Sequence, residues 1–276
     1  MIVFPNSKIN LGLRILQKRS DGYHNIETVF YPLALKDILE TVPFKKTPLN
    51  SDTNFSLSGI SLIGDCNNNL CLKAYRLLKK DFPDLPPVQI HLHKSITVGA
   101  GLGGGSADAA FTLMLLNEKF NLELSEKKLL SYASLLGSDC AFFIINKPCF
   151  ATGRGELLEK IDLDLSAYKI MLVSPGIHID TSQAFLNVQS SSAARPLKEI
   201  ILQPIEKWKE EMINDFENSV FSQYPPIREI KNQLYDAGAI YASMSGSGSS
   251  VYGIFSKQMK LQLDFPTGYF TKELPG

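Results

Sequence analysis

The sequence predicts a mixed α and β chain, α/β in class and organised as two α+β domains. Strand-like and helix-like segments interleave along all 276 residues, with no low-complexity linker and no repeat at solenoid periods. That length suffices for one large domain or two intimate ones around a sizeable core. The first hundred residues are rich in period-two alternation and the later part is rich in helical periodicity, with a candidate junction in "GRGE" near Arg154. The expected domains are therefore residues 1–154 and 155–276.

In order, "KINLGLRIL" and "VQIHLHKSI" alternate apolar and polar residues as half-buried strands do, and "DGYH" reads as a turn. "NLCLKAYRLLKKDF" sets Leu70, Ala74, Leu77 and Leu78 on one helical face. "SADAAFTLMLLNEKF" consists mostly of good helix formers and opens on Ser106. Ser125 offers a cap for "SEKKLLSYASLL", Gly137 closes it as the C′ residue, and a short helix begins at Ser138-Asp139. After "CFATGRG" follow a strand, "YKIMLVSP", a surface loop, "QSSSAARPLKE", and two helical stretches, "LKEIILQPIEKWKEEM" and "PPIREIKNQLYDAGA". The last strand expected is "SVYGIFS", behind the cluster "SMSGSGSS".

Twenty-eight basic residues balance twenty-eight acidic ones, so no global field attracts nucleic acid or an anionic membrane. Any polyanion binding must be local. Cys66, Cys71, Cys140 and Cys149 show no C-x-x-C spacing and read as reduced core thiols. The N-terminus lacks a basic stretch followed by an apolar one, and no run reaches about 18 apolar residues. A soluble cytoplasmic protein without a membrane partner is expected, and monomer and homodimer stay equally open.

The stretch Val98 to Ala110, "VGAGLGGGSADAA", holds five glycines in thirteen residues. Gly99, Gly101 and Gly104 satisfy the dinucleotide spacing G-x-G-x-x-G, but no second strand ending in an acidic residue follows about 20 positions on. Gly99 to Gly104 also has the frame of a Walker A loop, yet Gly105 stands where its lysine belongs. What remains is the physics common to both motifs. Successive main-chain N–H groups of Gly99, Ala100, Gly101, Leu102, Gly103, Gly104 and Gly105, with the Ser106 hydroxyl at a helix start, can bind phosphate. A turn that merely packs a helix on a sheet would need one or two glycines.

Phosphoryl transfer needs charge-handling groups besides a cradle. Lys8 reads either as an exposed strand-edge lysine or as such a cation, with Asn10 facing the same side. Asp139 reads either as a helix cap or as a carboxylate at a cleft wall. His91 and His93 share one face of a strand, a spacing that suits zinc, but no third ligand lies nearby. They read as an exposed strand face, and no protein-built metal site is expected.

Four stretches in order, "PNSKINLGL", "RSDGYHNIETVF", "AGLGGGSADAA" with "LGSDCAFF", and "SMSGSGSS", resemble the GHMP small-molecule kinases over most of the chain. The resemblance implies an N-terminal domain like domain 2 of ribosomal protein S5, with a left-handed βαβ crossover, and a ferredoxin-like C-terminal GHMP-kinase domain. "KINLGL" with "DGYH" resembles a narrower branch. For that branch the implied reaction moves the γ-phosphoryl group of ATP, brought with Mg²⁺, to the C2 hydroxyl of 4-diphosphocytidyl-2-C-methyl-D-erythritol, in non-mevalonate isoprenoid synthesis. Asp139 then matches the carboxylate that accepts the hydroxyl proton, and Lys8 its cationic neighbour. Tyr23 and His24 match the cytosine-recognition pair, and Phe185, on spacing alone a core residue, matches the aromatic on the ring's other face. Asn10 and Thr181 match substrate contacts, Asn69 a position near the adenosine, and Gly246, Ser247 and Gly248 the C-terminal motif. Ser106 is a candidate contact for Mg²⁺. Thr97 stands where the family has proline, and Lys94, just upstream, is expected to remain available near the nucleotide.

Overall fold

The computed structural model describes residues 1–44, 53–61, 68–186 and 195–276. Cys66 and the 189–194 part of the expected surface loop lie outside the described residues; Arg195, beyond them, is exposed. The fold mixes sheets and helices as expected, and it divides into two compact units that are discontinuous in sequence.

The first unit comprises Met1–Ser7, Leu35–Val98 and Gly103–Asn146. Its sheet runs β1 (Ile2–Val3), β4 (Ile38–Pro43), β6 (Val88–Lys94), β5 (Thr53–Gly59), with only the β5–β6 pair parallel. Helix α1 (Leu70–Asp81) lies between those two strands in sequence, as a parallel pair requires. Along β6, Val88, Ile90 and Leu92 are buried while Gln89, His91 and His93 are half-buried, so the alternation places the core on one face. The two histidines are not an exposed face. The Ser56 and Ser58 hydroxyls bond both ring nitrogens of His91, at 2.8 and 3.0 Å, and Ser58 also bonds His93 at 2.9 Å.

Helices α1, α2 (Gly104–Lys119), α3 (Glu126–Leu136) and α4 (Cys140–Ile145) pack on one another. The buried face of α1 is Cys71, Leu72, Ala74, Tyr75 and Leu78. It is rotated by about one residue from the expected face, because Leu70 occupies the first helical position and Leu77 sits at the edge. Helix α2 starts earlier than expected, with Gly103 as its cap, so Ser106 is the third helical residue. The Ser125 side chain caps α3 as expected, but Gly137 closes it in extended backbone instead of the left-handed C′ conformation.

The second unit comprises Lys8–Ala34, Gly99–Leu102 and Lys147–Gly276. Most of β2 (Asn6–Lys18) and β3 (His24–Lys36) belongs to it, in a sheet ordered β2, β3, β7 (Cys149–Thr152), β8 (Leu157–Lys160). A second, antiparallel sheet is ordered β10 (Tyr241–Met244), β11 (Val251–Ser256), β9 (Tyr168–Ser174), β12 (Phe270–Pro275). Strand β12 follows the one expected to be last. The stretch read as one helix is broken into α6 (Leu197–Ile200), a 3-10 turn at Ile205–Lys207 and α7 (Trp208–Glu211). Pro204 supplies the break, since it has no amide proton to donate. Helices α5 (Thr181–Leu186) and α8 (Glu217–Gln223) are short, and α9 (Pro225–Asp236), with proline at its start, packs on β10 and β11. Ile227, Ile230 and Leu234 of α9 are buried in a core with Val173, Met244, Val251 and Phe255.

Candidate active site

The glycine loop is held by its carbonyl groups. The Ala100 carbonyl accepts from the Ser250 amide at 3.1 Å, Gly101 from the Ser245 hydroxyl at 2.8 Å, and Leu102 from the Lys8 amide at 3.0 Å. Among the described residues, no amide from Gly99 to Gly103 donates to a backbone carbonyl. Three successive acceptors are therefore satisfied inside the unit and the donors are left for a ligand, which is what an anion cradle requires. In the first unit, α2 opens at Gly104 with the amides of Gly104, Gly105 and Ser106 in its first turn, at the positive end of the helix dipole. The Ser106 hydroxyl bonds the Cys140 thiol, which burial pushes up to about 12.

Lys8 is 3% exposed, so the strand-edge reading does not hold. Its ammonium donates to Asn10 Oδ1 at 2.6 Å and lies over the Phe30 ring, 4.9 Å from the centroid. Asn10 is tied on every side: its Nδ2 donates to Thr28 Oγ1 at 2.9 Å, its amide to Ser245 Oγ at 3.2 Å, and its carbonyl accepts from Tyr252 at 2.7 Å. Lys8, Asn10, the loop and Ser245 thus form one hydrogen-bonded cluster in the second unit.

Asp139, in the first unit, is half-buried at the N-cap of α4, but its side chain makes no capping bond there. The capping alternative therefore fails. Asn69 does cap: its Oδ1 accepts from the Cys71 amide at 2.8 Å.

Lys94 is not available to a nucleotide. It is 3% exposed and its ammonium is paired with Asp37 and, at 2.8 Å, with Asp108. Asp37 also accepts the amides of Ser95 and Ile96, at 2.6 and 2.9 Å. One ammonium among two buried carboxylates leaves an excess negative charge. Burial first, and the Asp37 charge against the pull of Lys94, raise the Asp108 carboxyl from 3.8 to about 7. The group fixes both the end of β6 and the first turns of α2. The Thr97 hydroxyl, at the position where proline was expected, is buried without a partner.

Around "DGYH", Asp21 accepts from the Arg19 guanidinium and the Tyr23 amide, all near 3 Å. Tyr23 is 58% exposed, with the Arg154 guanidinium 5.0 Å from its ring centroid. His24 and Phe185 stack directly, with centroids 5.3 Å apart and planes within 8°, and Phe185 sets an edge on Phe216. Phe185 packs against the core while keeping an aromatic face on His24. Thr181 and Ser247 share a hydrogen bond of 2.9 Å.

Two residues escaped the sequence reading. Asn214 Nδ2 donates to the Met244 and Gly246 carbonyls, each at 2.8 Å, and its Oδ1 accepts from the Phe216 amide. Glu217 accepts from the Met244 amide at 2.9 Å, Ser243 Oγ at 3.1 Å and Lys231 at 2.6 Å. Together they shape the backbone that carries "SGSGSS". Their signal was "NDFE", four residues of which three are polar, directly after the apolar pair Met212-Ile213.

No helix among the described residues is long and apolar enough to cross a membrane. Residues 69–147 match the model of the GHMP kinases N terminal domain and residues 197–263 that of the GHMP kinases C terminal domain. A Bacteroides fragilis protein named 4-diphosphocytidyl-2-C-methyl-D-erythritol kinase is 55% identical, over 99% of this chain and 100% of its own. A Porphyromonas gingivalis protein of that name is 43% identical over 95% and 94%. A crystal structure of 4-(cytidine 5'-diphospho)-2C-methyl-D-erythritol kinase superposes with a TM-score of 0.79 at 26% identity, covering all of both chains. The chain belongs to the GHMP kinases, in the branch formed with the relatives named 4-diphosphocytidyl-2-C-methyl-D-erythritol kinase.

Proposed function

We propose that this chain is an ATP-dependent kinase of the C2 hydroxyl of 4-diphosphocytidyl-2-C-methyl-D-erythritol, giving the 2-phosphate and ADP in non-mevalonate isoprenoid synthesis. The observation that carries the reading is the 55% identity, over 99% of the chain, to a protein bearing that kinase's name. The inward carbonyls and outward amides of the glycine loop support it physically. In this reading residues 1–154 carry the phosphate loop and residues 155–276 complete the substrate and nucleotide sites.

The amides from Gly99 to Ser106 hold the ATP phosphates, with Gly246, Ser247 and Gly248 completing the loop's support. Mg²⁺ comes with ATP, and the Ser106 hydroxyl is the side-chain oxygen proposed to approach it. The C2 hydroxyl oxygen forms a bond to the γ-phosphorus as the bond from that phosphorus to the β-bridging oxygen breaks. The hydroxyl proton goes to Asp139, and ADP leaves. Lys8 supplies the cation that offsets charge on the transferring group, a role the lysine-free loop cannot fill.

Tyr23 stacks on cytosine from the face that Arg154 leaves open, while His24 reads the polar edge and Phe185 closes the far side. Such stacking is worth about 1 to 3 kcal/mol per base. Asn10 and Thr181 line the methylerythritol portion, and the Asn69 carboxamide nitrogen faces the adenosine. Buried thiols at Cys71, Cys140 and Cys149, none of them bridged, suit a reducing cytoplasm.

The test is coupled ADP release with purified protein and 4-diphosphocytidyl-2-C-methyl-D-erythritol, with CMP as competitor. Turnover inhibited by CMP is expected. Turnover of mevalonate or homoserine in its place, insensitive to CMP, would overturn the reading.

A further inference from the structure

The glycine loop carries no lysine, yet an ionisable side chain packs directly on its first glycine. A Cβ added at Gly99 would stand 2.7 Å from His178 Nδ1 and 3.0 Å from its Cε1. The imidazole therefore covers the open face of the first glycine in the loop. His178 is itself exposed, but its neighbours are fixed. Ile179 is buried in the core against Gly248, and Ser249 Oγ donates to the Ile177 carbonyl at 2.5 Å. The ring is thus presented to the loop by backbone anchored on both sides.

The charged group that faces it is Asp180, whose carboxyl is held low by the Ser182 hydroxyl and amide first and by His178 last. Gly99–Leu102 and the segment from Ser245 to Ser250 contribute no ionisable side chain.

We propose that His178 is a nucleotide-contacting residue whose protonated imidazole donates to a phosphate oxygen of ATP seated on the amides of Gly99–Leu102. The inference rests on the reading of that loop as a phosphate cradle. It adds a titratable donor to an otherwise main-chain site, and so makes nucleotide affinity fall as pH rises through the range where histidine loses its charge. A charged donor to phosphate is a stronger partner than a neutral amide, and solvent exposure limits its effect to a modest factor.

The experiment is equilibrium binding of ATP to the full chain from about pH 5.5 to 8.5, for wild type, His178→Gln and His178→Lys. The nucleotide's own titration is common to all three proteins, so the differences between them are what count. At about pH 6 the glutamine variant should bind ATP about three- to ten-fold more weakly, with a flatter pH profile and unchanged melting temperature. The lysine variant should keep the acid-side affinity to higher pH. KM for the cytidine substrate should stay the same. Wild-type affinity and pH profile in His178→Gln, or an equal rise in both KM values, would overturn the role of His178 while leaving the cradle intact. Failure of the wild type itself to bind ATP would overturn the cradle reading beneath it.

Discussion

The Ser245 hydroxyl donates to the Gly101 carbonyl at 2.8 Å, and the Ser245 carbonyl oxygen occupies the space where a Cβ on Gly101 would stand. The two backbones approach as closely as a missing side chain allows. Gly101 also has φ +78°, in the left-handed region. Gly101→Ala should therefore displace the loop, cost about 1 to 3 kcal/mol of stability and weaken ATP binding by at least about ten-fold. Gly105 is the internal control. Its Cβ would meet only Leu70 Cδ1, at 3.9 Å, and it lies within α2. Gly105→Ala should be stable to within about 1 kcal/mol of wild type, or more stable. Chemical denaturation and ATP titration of both variants measure the contrast.

Asn214 should matter more than its distance in sequence from the glycine motifs suggests. Asn214→Ala leaves the Met244 and Gly246 carbonyls without their donor in a buried setting, at a cost of about 2 to 3 kcal/mol. Asn214→Asp should be at least as damaging, because a carboxylate cannot donate to either carbonyl. A urea midpoint for Asn214→Asp equal to wild type would rule out this anchoring role.

The Asp108 carboxyl gives a pH signature. Its folded value is raised from 3.8 to about 7, so between about pH 4 and 7 the folded state holds a proton that the unfolded state has lost. By linkage, this group's contribution to stability falls as pH rises across that window. Asp108→Asn mimics the protonated form and should gain stability relative to wild type between pH 5 and pH 8. Melting curves at both pH values read the difference directly, and parallel pH profiles would contradict it.

Asp139→Asn should keep ATP binding and lose most of kcat, by about a hundred-fold or more. Its side chain makes no capping bond to α4, so the variant should keep that helix. Lys8→Met retains the contact over Phe30 but not the charge, and should lower kcat with a smaller effect on ATP affinity. Steady-state kinetics beside ATP titration separate the two quantities. Equal turnover in Asp139→Asn and wild type would remove Asp139 from the chemistry.

Local patterns were readable in the sequence and long-range pairings were not. The spacing of "VGAGLGGGSADAA" excluded two nucleotide folds, and the Ser125 boundary follows from capping chemistry. Lys94 looked available because its partners, Asp37 and Asp108, are 57 and 14 residues away and no short window contains all three. An exposed strand edge stayed open for Lys8, beside the cation reading, for the same reason, as Phe30 and Leu102 enclose it only after folding. The helix expected from Leu197 onward satisfied the apolar period, but a period cannot register the amide proton missing at Pro204. Strand β12 pairs with β9 from a segment of mixed polarity, "FTKELP", which nothing local marks as a strand.

The three carbonyls that anchor the glycine loop draw their donors from Lys8, near the start of the chain, and from Ser245 and Ser250, near its end. During synthesis, the loop emerges after Lys8 but long before Ser245 and Ser250, which hold the Gly101 and Ala100 carbonyls. A ribosome-bound chain that has not yet reached Ser250 would carry the whole glycine motif without its finished shape. On the proposed reading of this loop as a phosphate cradle, nucleotide binding is accordingly a late property of the growing chain, gained when the distant C-terminal segment docks.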